Sequence, residues 1–251
     1  MKRRLQRLLQ LPFCLYGWLA TVIAVVFALL SALLVPPPSW RQSLATFASR
    51  LPFILTLTRP TVEGLDNLPQ GHSVVVANHA SYVDGPLLKG YLPPRFSFVI
   101  KGEMRNIPVV HFLLRRAGAR FVERNEAGAS ARDARSIVRA AQDGASLAFF
   151  PEGTFRVQPG VGRFRAGAFM AAIKGGTPVV PVTITGTRRM LTCDDWMLRW
   201  SRPTIRILPP IPMDDPAYGN HRDLAEAARQ RILAMLDEPD LLKNESPGST
   251  A

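Results

Sequence analysis

Hydrophobic positions fall into three regimes along this chain: one unbroken run, one helical stripe, and then short β-rich clusters separated by helical stretches. The unbroken run covers residues 11–35, 25 consecutive uncharged residues made mostly of Leu, Val, Ala and Phe. At about 1.5 Å per residue this is roughly 37 Å of helix, enough to cross or deeply enter a bilayer. Pro36, Pro37 and Pro38 end it, because consecutive prolines remove donors and hold the backbone extended. Within residues 39–59, Trp40, Leu44, Phe47, Leu51, Ile54 and Leu55 recur at intervals of 4, 3, 4, 3 and 1, which is one face of a helix. Arg41 and Arg50 interrupt this segment, so an interfacial helix is predicted in place of a second span.

From residue 60 to 238 the pattern alternates. Strands are predicted at 74–77, 97–100, 119–122, 146–150, 179–185 and 204–208. The clearest intervening helix is 131–142, with Ser130 as its N-cap, Asp133 three residues on, an apolar face at Ala134, Ile137, Val138 and Ala141, and Gly144 just past its end. Alternation of this kind predicts an α/β fold, a mostly parallel sheet flanked by helices, preceded by an N-terminal two-helix membrane element. The expected organisation is a membrane-associated helical hairpin at 1–59, a catalytic domain at 60–238 and a disordered tail at 239–251.

Charge sharpens the membrane reading. Of the 31 basic side chains, seven lie in residues 1–60, where there is no acidic residue, leaving 24 against 19 in the remainder. Basic charge beside apolar sequence points to a membrane surface. With no zinc-ligand spacing, heptad or aromatic-interleaved basic stripe, no nucleic-acid partner is expected. The basic leader favours the cytoplasmic side. A single span would then carry the rest of the chain outside, whereas a hairpin that dips in and returns keeps both ends in the cytoplasm. A secretory leader fits poorly, since its apolar core would be about 7–15 residues and no small-residue cleavage site follows. Two cysteines, Cys14 and Cys193, exclude a disulfide framework and are compatible with a reducing compartment.

Four blocks carry candidate chemistry. The first is Asn78-His79-Ala80-Ser81-Tyr82-Val83-Asp84, directly after a predicted strand. In open α/β sheets ligands bind at the C-terminal ends of strands. A His there with an Asp five residues on can form a His–carboxylate pair in which Asp84 fixes the imidazole tautomer and His79 takes a proton from a hydroxyl. The same spacing also fits a helix-start His with Asp84 as a first-turn cap. His72, His111 and His221 have no such partner and read as surface or loop residues. The second block, residues 118–124, is a strand running into Arg124, whose guanidinium could fork onto a phosphate or form a surface ion pair with Glu123 or Glu126. The third, residues 149–156, ends an apolar strand at Pro151 and then offers Glu152, Gly153, Thr154 and Arg156. The fourth, Val179-Val180-Pro181-Val182, places a proline where an edge, a bulge or a strand start is expected.

In order and spacing, NHxxxxD, GxxFVxR, FPEGT and VPV resemble the glycerolipid acyltransferases, specifically the 1-acylglycerol-3-phosphate (lysophosphatidic acid) acyltransferases, over about residues 60–210. The resemblance implies that His79 is a general base oriented by Asp84, that Arg124 holds the acceptor phosphate, and that Glu152, Gly153 and Thr154 shape the acceptor site. Lys101, in Val99-Ile100-Lys101-Gly102-Glu103, matches a basic position used near the phosphate. It further implies direct transfer of an acyl group from a thioester to a lysolipid hydroxyl in phospholipid biosynthesis. No bound cofactor or metal is expected. The co-substrate would be acyl-coenzyme A or acyl-acyl carrier protein, the partners membrane lipids and, where it delivers the acyl group, acyl carrier protein, and the location the cytoplasmic face of a bacterial-type inner membrane.

One departure stands out: Phe155 occupies the position at which the family's third block carries Arg, and Arg156, Arg163 or Arg165 is expected to substitute. A lyso-ornithine lipid or another lysophospholipid is therefore the alternative acceptor, and a non-catalytic membrane-anchored domain the alternative of another class. An α/β-hydrolase is disfavoured, because Gly71-His72-Ser73-Val74-Val75 lacks the last glycine of a GxSxG elbow.

Overall fold

Two helices lead the fold, α1 (Lys2–Leu34) and α2 (Pro38–Leu55), in a computed structural model that describes residues 2–123, 127–192 and 194–244. They run back along one another: the Tyr16 hydroxyl donates to the Leu55 carbonyl at 3.0 Å, and Phe27 meets Phe47 edge-on at 5.7 Å. The turn is the expected one at the prolines. Pro38 opens α2, where a missing N–H costs nothing.

Seven strands follow: β1 (Thr61–Glu63), β2 (Val74–Ala77), β3 (Ser97–Lys101), β4 (Arg120–Val122), β5 (Leu147–Phe149), β6 (Val179–Thr185) and β7 (Thr204–Ile207). Helices α3 (Asp84–Tyr91), α4 (Pro108–Arg116), α5 (Ala127–Gln142), α6 (Gly167–Gly175), α7 (Thr187–Met190), α8 (His221–Leu233) and α9 (Leu241–Asn244) are threaded between and after them. The sheet order is β1-β7-β6-β2-β5-β3-β4, parallel at every pairing except β6 with β7. The mostly parallel α/β architecture is therefore as expected.

Successive side chains of a strand point to opposite faces, and both faces of this sheet are covered. Val75, Ala77, Val180 and Val182 face one core with Leu87, Leu88, Cys14 and Phe53, beneath α1, α2 and α3. Val74, Val76, Leu147 and Val179 face the other with Ile137, Phe169, Leu224 and Ile232, beneath α5, α6 and α8. Each fully buried aliphatic side chain contributes about 1.5–3 kcal/mol, which is why β2 and the first four residues of β6 read as unbroken apolar runs.

Two expectations need correction, and one choice among alternatives is resolved. Ser130 lies inside α5, which already includes Ala127; the Asp133 carboxylate accepts from the Glu123 N–H at 2.8 Å and Arg105 at 3.0 Å. Pro181 sits in a central strand, neither at an edge nor at a strand start. Its lack of an N–H is tolerated at a bulge, one of the expected settings: Val179 pairs with Ile211 and Val182 with Ile207, so residues 179–182 of β6 oppose the longer stretch 207–211. The start of the expected tail is ordered. Arg229, 1% exposed, pairs with Asp240, which also bridges to Val161, and α9 follows. Residues 245–251 of that tail lie outside the described residues.

Candidate active site

β2 is central, and the chain leaves it toward β3 on one side while β5 returns to lie beside it before α6 carries the chain across to β6. The C-terminal ends of β2 and β5 thus flank the point at which connections diverge, where such sheets form a crevice. His79 follows β2, and Glu152 follows β5.

His79 Nδ1 lies 2.9 Å from Asp84 Oδ2, and Asp84, the first residue of α3, is fully buried. The same carboxylate oxygen accepts from the Ala80 and Ser81 N–H groups at 2.6 and 2.8 Å. A carboxylate bonded to Nδ1 leaves Nε2 as the nitrogen able to exchange a proton with a ligand. The His79 side chain is 17% exposed, so the ring is reachable.

Two neighbouring strands hold this pair. Asn78 both donates to the Ile184 carbonyl at 2.9 Å and accepts its N–H at 2.7 Å, tying the end of β2 to β6. Ser81 donates to the Leu191 carbonyl at 2.7 Å. From the other side, Glu152 accepts the His79 N–H at 2.9 Å through Oε1 and the Gly162 N–H at 3.0 Å through Oε2. Gly153, at φ 82°, makes the turn that aims this carboxylate back at His79, a conformation other residues adopt at a cost.

Burial raises the Glu152 carboxyl above its ordinary value of 4.5, against the lowering effect of its two backbone donors. A raised carboxylate stabilises the fold most when protonated, and that contribution is lost as pH rises through the folded-state value. Glu152→Gln is expected to remove this titration, so the wild type should lose stability relative to the variant as pH is raised from 4.5 toward neutrality. Thermal melts of both chains across that range check it; a constant difference would contradict the assignment.

Aromatic walls surround the imidazole. Phe150 stacks on His79 at 4.2 Å, Phe155 meets it edge-on at 4.6 Å, and Tyr82 meets Phe155 at 4.6 Å. Phe155, which the sequence marks only as a departure from a pattern, is thus part of the wall. Two further features were not evident beforehand. Arg188 donates to the Arg156 carbonyl at 2.7 Å, and Glu238 accepts from both Arg188 at 3.4 Å and the Gly160 N–H at 2.8 Å. The C-terminal segment therefore staples the loop that follows Glu152. Aromatic residues at a strand end carry a sequence signal indistinguishable from core, and an Arg–Glu pair 50 residues apart carries none.

The remaining predicted positions are less converged. Lys101 closes β3 in register with Val122, one strand beyond β5, and among the described residues it takes no part in the hydrogen bonds around His79. Arg124 lies outside the described residues. Thr154 and Arg156 are exposed on the loop. Arg165 donates its N–H to the Pro151 carbonyl at 2.8 Å, and its side chain lines a groove of about 900 Å³ with Arg132, Arg135, Arg139 and Lys174. On the opposite face an apolar cavity of about 170 Å³ lies between α1, α2 and the start of α3, walled by Phe13, Trp18, Phe53, Tyr82, Val83 and Leu198. Tyr82 and Val83 belong to the segment between His79 and Asp84, so this cavity adjoins the pair.

Comparison with known proteins adds to this geometry. The family model described as Acyltransferase matches residues 59–185. A chloroplastic 1-acyl-sn-glycerol-3-phosphate acyltransferase of Brassica napus is 28% identical over 90% of this chain and 66% of its own length. One from Arabidopsis thaliana is matched over 65% of its length, so the chain spans just under two thirds of these plant relatives. A 1-acyl-sn-glycerol-3-phosphate acyltransferase of Salmonella typhimurium is 26% identical over 93% of this chain and 95% of its own. The crystal structure of the 1-acyl-sn-glycerophosphate acyltransferase of Thermotoga maritima superimposes with a TM-score of 0.74, at 24% identity, over 99% of this chain and 100% of that one.

Proposed function

The chain belongs to the acyltransferase family, and from that premise we propose that it is a 1-acylglycerol-3-phosphate acyltransferase, moving a fatty acyl group from a thioester to the free hydroxyl of the acceptor to give phosphatidic acid. The carrying observation is the His79–Asp84 pair at the ends of β2 and β5, with Nδ1 held and Nε2 left for substrate. His79 removes the acceptor hydroxyl proton as the oxygen attacks the thioester carbonyl. The C–O bond forms, the C–S bond breaks, and the imidazolium returns the proton to the departing sulfur. Asp84 stabilises the imidazolium in between. A thiol of pKa about 8.5 leaves readily, so no acyl-enzyme is required. Glu152 is a positioning residue, fixing the backbone of His79 and the 152–162 loop.

The donor in this reading is acyl-coenzyme A or acyl-acyl carrier protein. Residues 1–59 are the membrane element and 60–238 the catalytic unit, on the cytoplasmic face of a bacterial-type inner membrane. The packing of α1 supports a hairpin seated in one leaflet. Near its start Arg7 approaches Asp195 at 3.9 Å, midway Trp18 donates to the Trp196 carbonyl at 3.0 Å, and near its other end the Ala32 carbonyl accepts from Arg116 of α4 at 2.7 Å. A helix packed on the α/β unit at both ends cannot cross a bilayer while that unit stays in water. Its outward face, Leu15, Leu19, Val22, Val26, Leu30 and Leu33, is apolar throughout.

Assays of detergent-solubilised enzyme against a panel of lysolipids, with both thioester donors, test the assignment. We expect lysophosphatidic acid to be preferred. Arg124→Ala should then raise KM for it by roughly 10- to 150-fold, the worth of a hydrogen bond to a charged group. Preference for a lyso-ornithine lipid or another lysophospholipid, together with an unchanged KM in Arg124→Ala, would overturn the phosphatidic-acid product and leave lysolipid acylation. That second reading is favoured by one observation, Phe155 against the His79 ring.

A further inference from the structure

The connection from α7 to β7, residues 191–203, contains no regular secondary structure among its described residues, a length at which such loops are usually functional. It is nevertheless fixed. Met197 and Leu198 are buried in the core beneath α1, and a Cβ placed on Gly17 would lie 3.2 Å from Leu198 Cδ1. Trp18 Nε1 and Cys14 Sγ both reach the Trp196 carbonyl, at 3.0 and 3.9 Å. The Arg199 N–H donates to the Met190 carbonyl at 2.9 Å, and the Ser201 hydroxyl to the Gly186 carbonyl at 3.0 Å. From this held backbone two large aromatics project outward: Trp196 is 60% exposed and Trp200 53%.

Two tryptophans held outward by a fixed loop beside the apolar face of α1 extend that face into a contiguous patch, the mark of an interaction site. Three features identify its chemistry. The loop is stitched to the first half of α1, so its tryptophans are continuous with the apolar outward face of that helix and with Trp18. Arg202 lies over the Trp200 ring at 5.7 Å, and Arg189 is exposed on the preceding α7. Of the two acidic residues, Asp195 is neutralised by Arg199 and Arg7, leaving Asp194 exposed. Indole rings beside guanidinium groups suit the level of lipid headgroups, where the ring is half-buried and the cation meets phosphate.

We infer that Trp196 and Trp200 form a second membrane contact, inserting into the headgroup region of an anionic bilayer beside α1 and so setting how deeply, and at what tilt, the crevice holding His79 meets the lipid surface. This rests on the hairpin reading above, and the test separates the two. The full-length wild type and a Trp196→Phe/Trp200→Phe variant are bound to vesicles of phosphatidylethanolamine and phosphatidylglycerol, with or without lipids brominated at shallow or deep acyl positions. The difference between their fluorescence belongs to the loop, and the variant's own signal to Trp18 and Trp40 of the hairpin. The loop component should shift to shorter wavelength on binding and be quenched most by shallow bromines. A Trp196→Ala/Trp200→Ala chain should keep its rate on lysolipid in detergent micelles and lose about tenfold on vesicle-embedded lysolipid, given the apolar burial forfeited. Quenching of Trp18 and Trp40 with a loop component that stays in water would overturn this inference alone. No quenching of either set would overturn the hairpin reading beneath it. A loop component shielded without bromine quenching, in a particle of twice the chain mass, would mean that a second copy covers these tryptophans and would also overturn it.

Discussion

Replacing His79 by alanine should lower acyl transfer by roughly 10²–10⁴-fold, the usual range for removing a general base, while the fold is expected to persist. The fold persists because the groups around His79 do not depend on its ring. Its N–H still reaches Glu152, and Asp84 keeps the Ala80 and Ser81 donors, so no buried charge is abandoned. Asp84→Asn should lose activity on a similar scale for another reason. An amide can occupy the carboxylate position, yet it carries no charge to stabilise an imidazolium, and in one orientation it offers Nδ1 a donor and fixes the wrong tautomer. The check is kcat on a soluble lysolipid dispersion alongside far-ultraviolet circular dichroism. Activity of His79→Ala within about threefold of wild type would remove the general base from the mechanism, since such catalysis is worth far more.

Asp240→Ala should destabilise the protein by about 3–5 kcal/mol, a fall in Tm of roughly 6–20 °C for a unit of this size. Arg229 is on the buried face of α8, and Asp240 is its close partner; Glu226, at 3.6 Å, is half exposed to water and a weak substitute. Losing Asp240 leaves a guanidinium inside the core, whose desolvation was offset by the pairing. Arg229→Met combined with Asp240→Ala should recover much of the loss, because an apolar chain can fill the same space without a charge. Denaturant titration of the three chains measures both effects; a change below about 1 kcal/mol, the value of an exposed pair, would place Arg229 effectively in solvent. The lesion should also raise KM, since Glu238 on the same segment staples the loop after Glu152.

These two predictions draw unequally on the sequence. His79, Asp84 and Glu152 were legible because chemistry in an open parallel sheet gathers where apolar runs end, and Val74–Ala77 and residues 147–149 end sharply. The buried Arg229–Asp240 pair was not legible, because a polar C-terminal stretch looks solvated until its partner across the fold is known. β1 went unpredicted for a related reason. Thr61-Val62-Glu63 has three residues and no hydrophobic pattern, and its strand exists only because β7 is there to pair with it. The reversal of β7 against β6 is likewise set by the loop before it, not by any periodicity within it. Phe150 and Phe155 were visible as letters but not as walls, since packing against an imidazole has the same apolar signature as packing against a leucine.

That distant pairing of β1 also orders the events of biosynthesis. Glu63 of β1 and Arg206 of β7 are bonded at 2.5 Å across 143 residues, so the sheet cannot be completed at this edge until β7 has emerged. At about 5–20 residues per second, the helical pair is out of the ribosome roughly 7–30 s before its sheet is whole. Through that interval the inner faces of α1 and α2, with Cys14 and Phe53, have no completed sheet to cover them. A nascent apolar hairpin in this state goes to a bilayer or to a chaperone. On the hairpin reading proposed above, assembly proceeds outward from the lipid, with α1 and α2 seated before the crevice around His79 is closed.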